Sequence, residues 1–186
     1  MSQPEIYFSV DIEASGPIPG EYSMLSLGAC LVDAPDRTFY AELQPISQQH
    51  VPDALRVSRF DLQDLARTGQ EPPHAMRAFR DWLADTAASG TPIFVGFNAS
   101  FDWAFVNWYF HKYLGTNPFG IGALDIKAYY MGLTGCRWEE TRSTKLPSRL
   151  QAPAKSENRH NALSDAIRQA AIFRSMIDLR AELLKR

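Results

Sequence analysis

The stretch EIYFSVD, residues 5–11, is short, apolar and rich in aromatic and β-branched residues, and it predicts a buried strand. The chain then continues as Asp11-Ile12-Glu13. Because side chains two positions apart in a strand point to the same face, both carboxylates can reach one spot at the carboxyl end of the strand. Sheets flanked by helices usually bind ligands at that edge. Taken alone, however, the pair is more typical of two solvated acids where a strand meets a loop.

Strand and helix patterns alternate along the rest of the chain. Four more strands are predicted, at residues 24–32, 38–43 and 92–97 and in the first part of 123–133. Residues 33–36 form a predicted turn, so the second and third strands should pair as an antiparallel hairpin. Helical patterns occupy residues 51–88 (broken at Gly69 and Pro72-Pro73, and clearest at 74–88), 101–114, the second part of 123–133 and 161–185. We therefore predict one α/β domain, residues 1–186, with a central mixed five-stranded sheet flanked by helices.

The composition is that of an ordinary globular protein, since 45% of the residues are hydrophobic and 22% are charged. The formal net charge of −2 argues against a protein that holds nucleic acid by bulk charge alone, but it does not exclude a small enzyme acting on chain ends. Two cysteines, Cys30 in a strand and Cys136 in a loop, suggest neither a disulfide framework nor a zinc site. Without a membrane-spanning apolar run or a signal-peptide pattern, we expect a cytoplasmic protein with no membrane partner.

Asp102 comes at the start of the helix that follows the strand at residues 92–97. An acid there can complement the helix dipole, with Asn98 or Ser100 as the N-cap. However, this strand is expected beside the first one, so Asp102 could also face Asp11.

The helix at residues 101–114 is apolar on most of its sides. Such a helix is either central to the core or covered by another subunit. We favour core packing and keep a homodimer contact as the alternative. Phe101, beside Asp102, is placed where it could touch a bound base.

His160 and Asp165 form the third candidate group. His160 lies in the loop before the last helix, and Asp165 lies in the first turns of that helix. The simpler alternatives are that His160 is a loop histidine without a role and that Asp165, like Asp102, only complements a helix dipole. Asp165 nevertheless sits beside an inward-facing apolar stripe, where an acid costs free energy unless it is paired or bound to a metal.

Together these residues offer four carboxylates and one histidine. Oxygen ligands without cysteine suit Mg²⁺ or Mn²⁺ rather than zinc. Two such ions about 4 Å apart form the arrangement used in phosphodiester cleavage. A nearby histidine with an ordinary pKa of about 6.5 could take the proton from an attacking water. The residues therefore suggest metal-assisted phosphoester hydrolysis.

The ordered set of motifs resembles the DEDDh branch of the 3′-5′ exonuclease superfamily, which includes proofreading exonuclease subunits, oligoribonuclease and ribonuclease T. The family motifs match, in order, Asp11 and Glu13, then Asn98, Phe101 and Asp102, then His160 and Asp165. Each motif is weak alone, whereas the ordered set is specific and extends over roughly residues 5–175.

The resemblance implies a ribonuclease H-like fold and an exonuclease that releases nucleoside 5′-monophosphates from the 3′ end of single-stranded or short RNA or DNA. It implies two divalent cations, Mg²⁺ or Mn²⁺, with the metal ligands Asp11, Glu13, Asp102 and Asp165. His160 would deprotonate the water on one ion, and the second ion would stabilise the departing 3′ oxygen. The candidate substrate contacts are Ala14, Ser15, Asn98 and Phe101, and the backbone near the first two would approach the terminal sugar.

Residues 134–159 are polar and show no helical or strand period. A solvated loop and a basic flap that contacts the substrate backbone are both consistent with this segment. Trp138 could stack on a base or pack structurally. Two other functions stay open at this point: a binding or scaffold module that has lost catalysis, and a metal phosphodiesterase that acts on a small nucleotide.

Overall fold

The computed structural model describes residues 3–152 and 161–185 and contains a mixed five-stranded sheet. Its strands are β1 (Glu5–Ala14), β2 (Met24–Leu31), β3 (Ala34–Glu42), β4 (Thr91–Gly96) and β5 (Leu124–Asp125), in the spatial order β3-β2-β1-β4-β5. The strand β2 pairs antiparallel with β1 and β3, whereas β4 pairs parallel with β1 and β5. The predicted α/β class and mixed sheet are confirmed.

The hairpin between β2 and β3 is tighter than predicted. Because β3 begins at Ala34, the turn occupies Val32 and Asp33 instead of residues 33–36. Pro35, which suggested the turn, lies inside β3. This strand is at the edge of the sheet, where a proline can be accommodated because one side of the strand needs no ladder partner.

The helices within the described residues are α1 (Pro52–Ser58), α2 (Leu62–Thr68), α3 (Pro72–Ala87), α4 (Ala99–Leu114), α5 (Ile126–Thr134) and α6 (Ala162–Leu183). The helix α3 begins earlier than predicted because proline is well tolerated in the first turn, where no intrahelical N–H bond is needed. At the start of α6, the Asn161 Oδ1 accepts a 3.1 Å hydrogen bond from the Ser164 N–H and caps the helix.

The central strand β1 divides its side chains between two faces. Phe8, Val10 and Ile12 are buried on one face, in the core that includes α3 and α4. The intervening side chains point to the other face, where α6 packs, and they include Asp11 and Glu13. The carboxyl end of β1 therefore lies between the start of α4 and the start of α6.

The aromatic-rich helix of the sequence is α4. Its side chains Phe105, Tyr109 and Phe110 are all fully buried against the sheet and α3. The Tyr109 hydroxyl also accepts a 2.8 Å hydrogen bond from the Met24 N–H. Packing within this chain therefore accounts for the apolar sides of the helix. The alternative, a homodimer contact through this helix, is not tested by the structure.

The polar segment after α5 is folded where the structure describes it. Short 3-10 helices span Trp138–Thr141 and Ser148–Leu150. Leu146 and Leu150 are buried in the core cluster that α6 also joins. Up to residue 152 the segment is therefore packed in part against the core, whereas residues 153–160 lie outside the described part of the chain, and the basic flap stays a prediction.

None of the helices within residues 3–152 and 161–185 combines the length and apolar character needed to cross a bilayer. Cys30 is buried in β2, and Cys136 is partly buried with a free thiol. No disulfide links the two.

Candidate active site

Three of the four predicted carboxylates converge at the carboxyl end of β1. One carboxylate oxygen from each of Asp11, Glu13 and Asp165 lies within 4.8 Å of the other two. All three residues are partly exposed, so an ion can reach them from solvent. Oxygen donors at this spacing are suited to a hard divalent cation.

Asp165 reaches β1 because α6 packs closely against the sheet. Gly28 of β2 lies against the backbone of Leu163, where any Cβ would overlap main-chain atoms. Further along α6, the fully buried Ser9 hydroxyl donates a 2.7 Å hydrogen bond to the Ala166 carbonyl oxygen. The glycine and the serine thus set the distance between the helix and the strand, and with it the position of Asp165.

Asp102 approaches β1 from the first turn of α4. It is 5% exposed, and its Oδ1 accepts a 2.9 Å hydrogen bond from the Ile12 N–H. On the side of β1 that faces β4, the hydrogen-bonded ladder ends at the pair Ser9 and Val95. Ile12 therefore has no partner in β4. Asp102 takes the place of that partner, and its charge is felt strongly by Asp11.

Burial raises the pKa values of Asp11, Glu13 and Asp102, and the charges of neighbouring site acids add to the shift of the first two. Burial, followed by the charges of the other three acids, raises the pKa of Asp11 well above its usual range. Burial and the charges of Asp165 and Asp102 raise the pKa of Glu13 to about 7. Burial also raises the pKa of Asp102 to about 7, although the hydrogen bond from Ile12 opposes the change. A cation bound among them would favour their ionised forms.

Gln169 is a site residue that the motifs do not reveal. Its Nε2 donates a hydrogen bond to Asp11 Oδ1, and its Oε1 accepts a 2.7 Å hydrogen bond from the Phe97 N–H just beyond β4. The residue is only 8% exposed. A sequence signal existed, because Gln169 follows Asp165 by four residues and the two therefore share a face of α6.

A cavity of about 170 Å³ adjoins the carboxylates, and its lining includes Asp11, Asp165, Arg168 and Gln169. The Arg168 Nε is buried, and it has no hydrogen-bond partner within the described part of the chain. The cavity therefore places a guanidinium group and an amide beside two of the converging carboxylates, a combination that suits a phosphodiester group coordinated to a cation.

The family described as 3′-5′ exoribonuclease Rv2179c-like domain matches residues 7–177, which include all four carboxylates. The chain belongs to the Rv2179c-like exoribonuclease domain family. The predicted activity class, a 3′-5′ exonuclease, is thereby confirmed.

A relative of this Rv2179c-like domain is 3′-5′ DNA exonuclease Cap18 of Escherichia coli. The two chains are 47% identical over 182 residues, which cover 97% of this chain and 96% of the relative. The similarity thus extends over nearly the whole of both proteins and supports enzymatic activity over a binding module that has lost catalysis.

Solved structures of exonucleases share the fold of the Rv2179c-like domain. The nuclease domain of 3′hExo, a DEDDh family member bound to rAMP, matches with a TM-score of 0.71 and 14% identity over 95% of this chain and 92% of that one. Escherichia coli exonuclease I, in complex with a dA16 oligonucleotide, matches with a TM-score of 0.67 and 13% identity over 97% of this chain and 42% of that one. This chain therefore spans less than half of exonuclease I. The predicted ribonuclease H-like fold is confirmed.

The four candidate substrate contacts differ in how much of each side chain is available. Ser15 is fully buried, and its Oγ donates to the Gln49 carbonyl oxygen and accepts from the Ser23 N–H, both at 2.9 Å. Ala14 is 8% exposed, whereas Phe101 is 41% exposed. Of these three, Phe101 therefore offers the largest surface to a substrate.

Asn98, the fourth candidate contact, lies at the entry to α4 in the left-handed region, with φ at 62°. Its Oδ1 accepts a 2.8 Å hydrogen bond from the Lys127 Nζ, so this oxygen already has a partner within the Rv2179c-like domain. The predicted base His160 lies outside the described residues. The roles of all these residues stay predictions.

Proposed function

We propose that this Rv2179c-like domain hydrolyses phosphodiester bonds at the 3′ end of single-stranded or short nucleic acids and releases nucleoside 5′-monophosphates. The observation that carries the proposal is the convergence of Asp11, Glu13 and Asp165 at the end of β1. Asp102 joins them through its hydrogen bond to the Ile12 N–H of the same strand. Four acids held together by the fold are costly without a cation, which favours a metal-dependent site.

The four carboxylates would hold two divalent cations, Mg²⁺ or Mn²⁺. The donor set fits these ions, because it consists of oxygen atoms and three of them lie within 4.8 Å of one another. When bound, such cations supply an activated water and neutralise charge on the phosphate. The protein holds the ligands in position beforehand. Ser9 fixes α6 against β1, the Ile12 N–H binds a carboxylate oxygen of Asp102, and Gln169 binds one of Asp11.

His160 would act as the general base. It directly precedes Asn161, the cap of the helix that carries Asp165. A neutral imidazole has the proton affinity needed at neutral pH, and it would accept the water proton as the oxygen attacks phosphorus. The bond between phosphorus and the 3′ oxygen of the shortened chain breaks in the same reaction.

The family is described as an exoribonuclease domain, whereas the relative Cap18 is named a DNA exonuclease. The experiment below therefore compares RNA with DNA as the substrate. A net charge of −2 favours short or single-stranded substrates over long duplexes, which are bound largely through basic surfaces.

The test is a time course on 5′-labelled single strands of RNA and DNA with matched sequence, in Mg²⁺, Mn²⁺ or EDTA. We expect a ladder that shortens from the 3′ end, nucleoside 5′-monophosphates as the small product, and no cleavage in EDTA. Asp11→Ala should abolish the ladder, whereas Asp85→Ala, at an exposed acid near the end of α3, should leave it unchanged. Cleavage that persists in EDTA would contradict the assignment of metal ligands.

A further inference from the structure

A second cavity, of about 320 Å³, opens beside the first turn of α4. Its lining includes Ser100 and Trp103 of α4, Asp125 at the end of β5, Ala128 in the first turn of α5, and Trp138 of the first 3-10 helix. We call it the two-tryptophan cleft. Because β1, β4 and β5 run parallel, the cleft lies at the same edge of the sheet as the carboxylates of β1.

Trp138 is held by the protein and is still open to solvent. It is 51% exposed, and the Lys127 Nζ lies 4.0 Å from the centroid of its ring. Lys127 is itself 9% exposed and donates a 2.8 Å hydrogen bond to Asn98 Oδ1. The ammonium group thus fixes the indole from one face. An aromatic ring that is positioned in advance and exposed elsewhere is suited to stack on a nucleobase.

The acid that lines the cleft already has hydrogen-bond donors. Asp125 Oδ2 accepts a 2.7 Å hydrogen bond from the Ala99 N–H, and its Oδ1 accepts a 2.8 Å hydrogen bond from the Ala128 N–H. Its charge is therefore offset by amide groups at the starts of α4 and α5. The other lining side chains are apolar except for the Ser100 hydroxyl. Such a lining fits a flat, uncharged base better than a phosphate.

The order of side chains around α4 connects the cleft to the catalytic carboxylates. Successive residues of a helix are about 100° apart, so Asp102 lies between Phe101 on one side and Trp103 on the other. Asp102 faces β1, and Phe101 is exposed beside it. Ser100, which lines the cleft, directly precedes Phe101, so one edge of the cleft lies next to Phe101 at the start of α4. A nucleotide strand that passes Asp102 can therefore have one base near Phe101 and the next in the two-tryptophan cleft.

We propose that the two-tryptophan cleft binds the base of the nucleotide next to the 3′-terminal one, stacked on Trp138. This inference rests on the proposed function, which places the terminal phosphodiester at the four carboxylates. The cleft would favour substrates of two or more nucleotides over single-nucleotide esters. It would do so with little base preference, because every base offers a face for stacking.

The experiment compares Trp138→Ala with the wild-type chain on two substrates of the preferred sugar. One is a trinucleotide, and the other is the methyl ester of a nucleoside 5′-monophosphate, which has neither a second base nor any other aromatic group on the leaving side. We expect kcat/KM on the trinucleotide to fall about 5- to 150-fold, the effect of losing one stacked base. On the ester it should stay within about twofold, because the cleft is then empty. Trp138→Phe should retain most of the activity on the trinucleotide, and Leu184→Ala, at an exposed residue beyond the end of α6, should behave as wild type.

Equal losses on both substrates, or no loss on either, would overturn the proposal. Binding is measured separately through tryptophan fluorescence, with the trinucleotide titrated into the Asp11→Ala background to prevent cleavage. Trp103 lines the same cleft and keeps a signal when Trp138 is absent, so the readout is the Kd of the trinucleotide. The Kd should rise about 5- to 150-fold when Trp138→Ala is added and stay unchanged with Leu184→Ala, and an unchanged Kd with Trp138→Ala would also overturn the proposal. A wild-type chain that cleaves neither substrate would contradict the proposed function, and the titration would still decide the role of the cleft.

Discussion

Gln169 donates a hydrogen bond from Nε2 to Asp11 Oδ1 while its Oε1 accepts one from the Phe97 N–H. A backbone N–H can only donate, so the amide oxygen must face Phe97 and the NH₂ group must face Asp11. The orientation of Asp11 is therefore determined by β4 and α6 together before any cation binds. Residues that hold metal ligands in this way commonly affect metal affinity without touching the ion.

Replacing this amide should weaken cation binding. In Gln169→Leu, Asp11 loses its donor and the Phe97 N–H loses its acceptor. We expect the affinity for Mn²⁺ to fall about 10- to 100-fold, as for other partners of metal ligands. The unpaired N–H should lower the free energy of unfolding by about 1–3 kcal/mol. Calorimetric titration with Mn²⁺ measures the affinity, and urea unfolding in EDTA measures the stability.

Gln63→Leu, at an exposed position of α2, is the control. Wild-type Mn²⁺ affinity in Gln169→Leu would show that Asp11 needs no such support.

Gly28→Ala should displace the start of α6, because the added methyl group would overlap the backbone at Leu163. Overpacking of this kind typically costs about 1–3 kcal/mol of unfolding free energy. Since Asp165 moves with the helix, the affinity for Mn²⁺ should fall as well. Gly132→Ala in α5 is a matched control, because within residues 3–152 and 161–185 its Cβ position meets no atom within 4 Å apart from the adjacent residues and the nearby backbone of its own helix. If Gly28→Ala bound Mn²⁺ as tightly as wild type, the close packing of α6 would not be what positions Asp165.

The strand pattern at residues 5–11 was sufficient to predict how Asp11 and Glu13 are arranged. Alternation along a strand is a local property, so their shared face follows from the sequence alone. Gly28 and Ser9 could not be recognised in the same way, because their importance comes from the approach of α6, which is distant in sequence. Gln169 was missed for a related reason: a glutamine on a helix is usually a surface residue, and only its tertiary partners distinguish it.

Local turn signals misplaced the start of β3, since Pro35 is compatible with both a turn and an edge strand. The 3-10 turns of the segment after α5 were not predicted, because the segment has no helical or strand period. Leu146 and Leu150 are nevertheless buried, through short 3-10 turns that periodicity does not detect. These errors concern regions where tertiary contacts determine the local conformation.

In EDTA, the free energy of unfolding should decrease as the pH rises from about 4 through about 7. In the folded chain the pKa values of Glu13 and Asp102 are raised to about 7, and that of Asp11 is raised well above its usual range. Carboxyl groups of the unfolded chain ionise near pH 4. The folded state thus binds more protons in this window, so the stabilisation is fully present below about pH 4 and is lost as these groups ionise. Urea midpoints across the pH series measure the slope.

Two comparisons isolate the source of this pH dependence. Saturating Mg²⁺ should flatten the profile, because a bound cation favours the ionised carboxylates and stabilises the folded chain. Asp102→Asn should flatten it in part, since it removes one of the groups with a raised pKa while keeping an acceptor for the Ile12 N–H. Identical slopes for wild type and Asp102→Asn would contradict the raised pKa of Asp102.

His160→Ala should lower kcat by about 10²–10⁴-fold if the imidazole is the general base. The carboxylates are untouched, so Mn²⁺ affinity should stay at the wild-type value, which separates this variant from changes to metal ligands. In saturating Mn²⁺, which favours the ionised carboxylates, the rate of the wild-type enzyme should rise with pH around the usual imidazole pKa of about 6.5, and the variant should lose that rise. His111→Ala, at an exposed residue of α4, should keep both the rate and the pH profile. A His160→Ala rate close to wild type would remove His160 from the mechanism and require another base for the attacking water.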